Sequence, residues 1–152
     1  MKWLSSSWLL GRIREMDVSN NVTLVSPVPE VRAKLVQLQQ QMGQGGGVVM
    51  DGRDIGTVVF PVAEVKFFMT ASAEVRAQRR YLELKGRGAE VTLEEVLANL
   101  ERRDLDDTTR TADPLIEAPD AFVIDNSHLT STEQFDLAVG HVVQVIGVVA
   151  EA

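Results

Sequence analysis

The stretch Gly47 to Pro61, GVVMDGRDIGTVVFP, decides how the chain is read. Val48, Val49 and Met50 form an apolar run of the kind that makes a buried strand. The run ends on a carboxylate, Asp51, and then Gly52, Arg53, Asp54 and Gly56 place charges around a glycine-punctuated turn. Ligands of open α/β sheets sit beyond the carboxyl ends of strands. An apolar strand ending in Asp is also one way in which phosphate-transfer proteins hold Mg²⁺. The plainer alternative is an Arg–Asp pair closing a strand-to-loop turn.

Outward from this stretch, two further apolar runs read as strands: Val65 to Thr70, and Ala121 to Asp125, which again ends on Asp. Helical patterns surround them. Val18, Val22, Val25 and Val28 recur at spacings of four and three. Pro29 suits the first turn of a helix whose apolar stripe is Val31, Leu35, Leu38 and Met42. Arg32 lies near the start of that helix, where a cation opposes the dipole and invites an acceptor. The competing reading is a solvated arginine. Ser72 is placed to cap a helix carrying Arg76, Arg79 and Arg80, with Gly86 beyond its end. Arg76 and Arg80, four apart, share a face that would either bind a polyanion or be solvated with Glu83 as partner. Thr92 to Glu95 and Thr130 to Glu133 are capping boxes. The first opens a helix that brings Arg103, Asp107 and Arg110 onto one face. The second opens a helix with Phe135, Val139, Val142, Val143 and Ile146 as its inner face. Strands alternating with helices predict a parallel sheet in an α/β fold.

The chain of 152 residues is one domain in length, and 45% hydrophobic with 24% charged residues is a globular composition. No cysteine is present, which removes disulfides, thiol nucleophiles and thiolate metal sites and points to the cytoplasm. A net charge of −7 argues against polynucleotide binding, although local arginines suffice for a small anion. No apolar run reaches membrane-spanning length. The glycine-rich Gly43 to Gly47 follows a helix, precedes a strand and lacks lysine, so it reads as a helix stop and link rather than a phosphate loop. No G-x-x-x-x-G-K-[ST] occurs in these residues. Residues 1–17, with Trp3 and Trp8, read as a frayed terminus.

Taken together, VSNNVTLVSPVPEVRAKL, DGRDIGTVVFP, FFMTAS, the RAQRR helix, ERRDLDDTTR and AFVIDNS resemble bacterial cytidylate kinase, in family order and spacing from about Ile13 onward. The resemblance implies an α/β, parallel-sheet nucleoside monophosphate kinase (P-loop NTPase-like) fold, truncated at the N-terminus, that phosphorylates CMP and dCMP with ATP and Mg²⁺. It implies that residues 1–42 are a helical part of the CMP-binding insert. Residues 43–152 would be the remaining core, with a short lid near 85–92. It places Thr23, Arg32 and Asp54 at the cytosine ring, and Arg53 and Arg110 at the CMP phosphate. Arg103 and Asp107 fall near the sugar, and Arg76 and Arg80 before the lid as candidates for the ATP phosphates. Asp51, with Arg53 and Arg110, would serve catalysis, reaching Mg²⁺ through water and ligating no metal directly. Family members begin with a strand and a P-loop, and their sheet runs 2-3-1-4-5. This chain is expected to start after that part, leaving an empty slot between Val48–Met50 and Val65–Met69. A monomer is the family expectation, with self-association through bare strand edges as the alternative. The resemblance implies no meaningful turnover for these residues by themselves. A non-catalytic CMP binder and a truncation product without function are the competing readings.

Overall fold

The computed structural model describes residues 18, 21, 22 and 25–147. Thr23 and residues 1–17 lie outside the described residues, as do residues 19, 20 and 24 of the first valine-patterned segment. Of that segment, Val18, Asn21, Val22 and Val25 are helical. Helix α1, Pro29–Gly43, opens with proline in its first turn, because an N–H there would have no intrahelical acceptor. A single π-helical turn, Ile55–Val59, follows the DGRD segment. Strand β1 is Phe67–Thr70, helix α2 Ala73–Gly86 and helix α3 Leu93–Thr109. Strand β2, Phe122–Asp125, and helix α4, Ser131–Ile146, complete the order.

The expected parallel arrangement is present: β1 and β2 pair in parallel, with Phe67 opposite Phe122 and Thr70 opposite Asp125. Among the described residues the sheet has two strands. Val48–Met50 is therefore not a strand, contrary to its sequence pattern. It is irregular backbone with Val49 fully exposed. The physical reason is that no described strand lies beside it to accept its backbone hydrogen bonds.

Each helix start follows its local chemistry. Ser72 accepts from Val75 N at 3.3 Å, and Thr92 and Thr130 form complete capping boxes with Glu95 and Glu133. The chain leaves α1 through Gly46 and Gly47, both with positive φ (68° and 64°), a conformation that suits residues without a Cβ. Gly86 belongs to α2 itself, and Gly88, at φ 80°, makes the turn to α3 instead.

The main apolar cluster lies between α2 and α3. Ala77, Leu84 and Val96 are buried, with Tyr81, Ala89, Val91, Leu93, Leu97 and Leu100 packed around them. Val59, Ala118 and Ile124 are buried separately, near the sheet. Two expected inner faces are not covered. Leu35, Leu38 and Met42 on α1, and Phe135, Val139, Val143 and Ile146 on α4, are all exposed. A helix buries its stripe only where an opposing element supplies surface, and a two-stranded sheet supplies little. On α1 the buried side chain is Arg32 instead.

Candidate functional site

The site grows from the π turn. Its 55–59 backbone folds back on itself, with Asp54 O accepting from Val58 N and Val59 N at 2.9 and 3.2 Å. That leaves the Asp54 side chain buried and aimed at α1, where Arg32 Nη2 donates to Oδ2. Both residues are only 8% exposed. Arg32 Nε donates to Asp113 Oδ2 at 2.8 Å. The acceptor that Arg32's place near a helix start called for is thus a pair of carboxylates, and the solvated-arginine reading fails. An Arg53–Asp54 pair does not form either, since the two side chains diverge to different helices.

A second cluster adjoins the first. Asp107, on α3, accepts from Arg53 Nε at 2.8 Å through Oδ2, and its Oδ1 lies 3.5 Å from Arg110 Nη1. Arg110 caps the C-terminus of α3. Its guanidinium donates to Asp113 O from both Nε, at 2.7 Å, and Nη2. The loop after α3 is tied back by Leu115 N donating to Asp107 O at 2.8 Å. Burial first, and the neighbouring Arg32 charge second, hold the Arg110 guanidinium below its ordinary range, opposed by Asp107, Asp54 and Asp113. Three arginines thus meet three carboxylates, drawn from α1, the DGRD segment and the end of α3.

The remaining sequence candidates fall elsewhere. Asp51 is exposed, and Arg103 is half-buried on α3, one turn before Asp107. Arg76 Nη1 pairs with Asp104 Oδ2 at 2.7 Å while its Nε donates to Ala71 O at 3.0 Å. Arg80 pairs with Glu83 at 2.7 Å, the partner the sequence suggested for a solvated face. Arg79, on the same helix, donates to the Asn126 side chain and carbonyl at 2.7 and 2.8 Å, fastening α2 to the end of β2. Residues 87–92 form a short connection whose Ala89 and Val91 pack on the α2–α3 cluster.

One participant escaped the sequence reading. Asp113 is the single non-glycine residue with positive φ (49°) among the described residues, and it contacts both Arg32 and Arg110. Aspartate tolerates this backbone region better than most residues. The available signal was an Asp immediately before Pro114 and three residues after Arg110.

A small parallel sheet, with a helix after each strand and arginines gathered among carboxylates, is consistent with an α/β nucleotide kinase. The comparisons make this specific. The cytidylate kinase family model matches residues 5–144. A cytidylate kinase of Flavobacterium psychrophilum is 57% identical over 135 residues, 89% of this chain and 60% of the relative. One from Bacteroides fragilis is 56% identical over 124 residues, 82% of this chain and 54% of the relative. One from Cytophaga hutchinsonii is 50% identical over 139 residues, 89% and 59% respectively. The chain belongs to the cytidylate kinase family. It spans between half and two thirds of the length of these relatives.

Proposed function

We propose that these residues form the nucleoside monophosphate site of a cytidylate kinase, which phosphorylates CMP and dCMP with ATP and Mg²⁺ in pyrimidine nucleotide metabolism. The observation that carries the reading is the buried Arg32–Asp54 pair adjoining the Arg53–Asp107–Arg110 cluster. Cytosine presents an amino donor beside the N3 and O2 acceptors. Asp54 would accept from the amino group and Arg32 donate to N3 and O2, with Thr23 assisting. Arg53 and Arg110 are suited to a phosphate by their forked donors, and Arg103 and Asp107 to the sugar hydroxyls. An incoming phosphate would replace the Asp107 carboxylate as the anion between Arg53 and Arg110.

Phosphoryl transfer depends mainly on positioning and charge neutralisation. In our reading Mg²⁺ is carried by the ATP phosphates, with Asp51 meeting it through water. Asp51 is exposed, so its carboxylate is open to such a water-mediated contact. Arg76 and Arg80 reach the ATP phosphates only if they leave Asp104 and Glu83, in concert with a lid near 85–92. The 152 residues contain no Walker A lysine or loop, and single stabilising contacts of that kind are worth about 10²–10³ in rate. We therefore infer that these residues by themselves bind CMP without meaningful turnover, as a monomeric cytoplasmic protein with no polynucleotide or membrane partner. No helix among the described residues is long and apolar enough to cross a membrane.

The test is a titration of CMP followed by calorimetry, beside an ADP-release assay with ATP, Mg²⁺ and CMP. The assay would be run on this chain and on a version carrying a P-loop segment at its N-terminus. Binding by the first and turnover by the second are expected. Absence of CMP binding would overturn the reading, and so would turnover by these 152 residues without a P-loop overturn the account of the ATP site.

A further inference from the structure

The guanidinium of Arg32 has two usable edges. The Nε–H and one Nη2–H point along its side, and the outer Nη1 and Nη2 hydrogens point along its end. Asp113 Oδ2 takes Nε at 2.8 Å and Asp54 Oδ2 takes Nη2. With Asp54 on the inner Nη2 hydrogen, the end edge offers a pair of parallel donors, the pattern that two adjacent acceptors on a planar ring require. We propose that Asp113 is a positioning residue that holds Arg32 with its end edge toward the pyrimidine and thereby sets the preference for cytosine over uracil. This rests on the reading of Arg32 and Asp54 as the base-reading pair.

The chemistry favours that role. Cytosine N3 is an acceptor and uracil N3 carries hydrogen, so two donors in fixed register favour cytosine and meet a like donor in uracil. A guanidinium held by Asp54 alone could rotate about that one contact. A second carboxylate on Nε removes the rotation. Asp113 reaches this position from the loop after α3, which Leu115 N and the Arg110 guanidinium pin to the helix end. Its backbone carbonyl serves Arg110 while its carboxylate serves Arg32. One residue therefore places the base-reading and phosphate-holding arginines relative to each other.

Asp113→Gly separates the two duties. Glycine keeps the positive φ and the carbonyl to Arg110 but removes the carboxylate from Arg32. Asp113→Asn keeps the side-chain shape and an acceptor while removing the charge. CMP, UMP and inorganic phosphate are titrated into the unaltered chain and both variants by calorimetry, with a thermal melt of each. In Asp113→Gly, CMP affinity is expected to fall about tenfold. UMP affinity should fall less, inorganic phosphate affinity should stay unchanged, and Asp113→Asn should lie between. A CMP-to-UMP ratio unchanged in both variants overturns the inference and leaves the functional reading standing. Failure of the unaltered chain to bind CMP overturns both. Loss of the folded state in both variants overturns the inference as well, because Asp113 would then serve the fold rather than the site.

Discussion

Arg32 on α1 donates to Asp54 in the DGRD segment, and each is 8% exposed, so a buried ion pair joins the two segments. Charges this far from water must be compensated, since breaking a buried pair by removing one partner is worth about 3–5 kcal/mol. Arg32→Met leaves Asp54 buried without its cation and should lower stability by about that amount. Arg32→Met with Asp54→Leu should recover part of the loss, because it removes both desolvated charges. Urea denaturation checks this: a double variant less stable than the single one would mean that the pair's surroundings, not its charge, set the cost. Neither variant should retain CMP binding.

The Thr130–Glu133 capping box predicts a pH limit as well as a stability loss. Thr130 N donates to Glu133 Oε2 at 2.8 Å, and this backbone hydrogen bond, followed by the one from the Thr130 hydroxyl, holds the Glu133 carboxyl below its usual range. The Lys66 ammonium does the same for Asp120, and the Ser127 hydroxyl and backbone N–H for Asp125. A carboxylate with a lowered folded-state pKa contributes stability that is present above its unfolded pKa, about 4 for these groups, and is lost as the pH falls through the folded value. The melting temperature should therefore be level from pH 7 to about 5 and fall below about 4. Thr130→Ala should lower stability by about 1 kcal/mol at pH 7, and Glu133→Gln, which removes the titrating carboxyl, should flatten the acid slope. An unchanged slope in Glu133→Gln would exclude the cap as a source of the acid sensitivity.

Gly43 gives a prediction whose sign runs against helix propensity. An alanine in place of glycine within a helix usually stabilises by about 0.5–1 kcal/mol. Here a Cβ on Gly43, the last residue of α1, would lie 2.4 Å from Phe60 Cε1 and 2.5 Å from Cζ. The half-buried ring must swing away, and overpacking of this kind is worth about 1–3 kcal/mol. Gly43→Ala should therefore melt at a lower temperature than the parent chain. Gly43→Ala in a Phe60→Leu background should melt no lower than Phe60→Leu itself. If the alanine stabilises in both backgrounds, the Gly43–Phe60 contact is not a constraint.

Local chemistry carried most of what the sequence revealed. Pro29, Ser72, Thr92 and Thr130 mark helix starts because each start depends on groups within three residues. The blocks DGRD and ERRDLDDTTR pointed to Arg53, Asp54, Asp107 and Arg110, and the structure brings these four together with Arg32. What the pattern could not supply was pairing at a distance. Val48 to Met50 has the composition of a buried strand, yet a strand exists only where a neighbour receives its backbone groups. The α4 stripe is equally regular, and its exposure follows from the surface opposite it rather than from its own residues. Asp113 was missed because its importance lies in the partners it meets, one of them 81 residues away.

Lys66 provides the last case, a buried cation that its apolar neighbours in the β1 run conceal. It is 9% exposed, and its Nζ donates to Pro61 O at 2.7 Å and to both Asp120 carboxylate oxygens at 2.9 and 2.8 Å. The two partners differ in exposure, since the Asp120 side chain is 63% exposed and the Lys66 side chain 7%. Removing each should therefore have unequal effects. Asp120→Ala leaves a desolvated ammonium with a single carbonyl partner and should be the more destabilising of the two. Lys66→Met keeps the aliphatic stem, removes the buried charge and returns Asp120 to water, so it should be near neutral or stabilising. Guanidinium denaturation of the two variants measures the asymmetry directly. Equal losses would mean that the ion pair acts as a unit, and that the hydrogen bond to Pro61 contributes nothing to holding the ammonium.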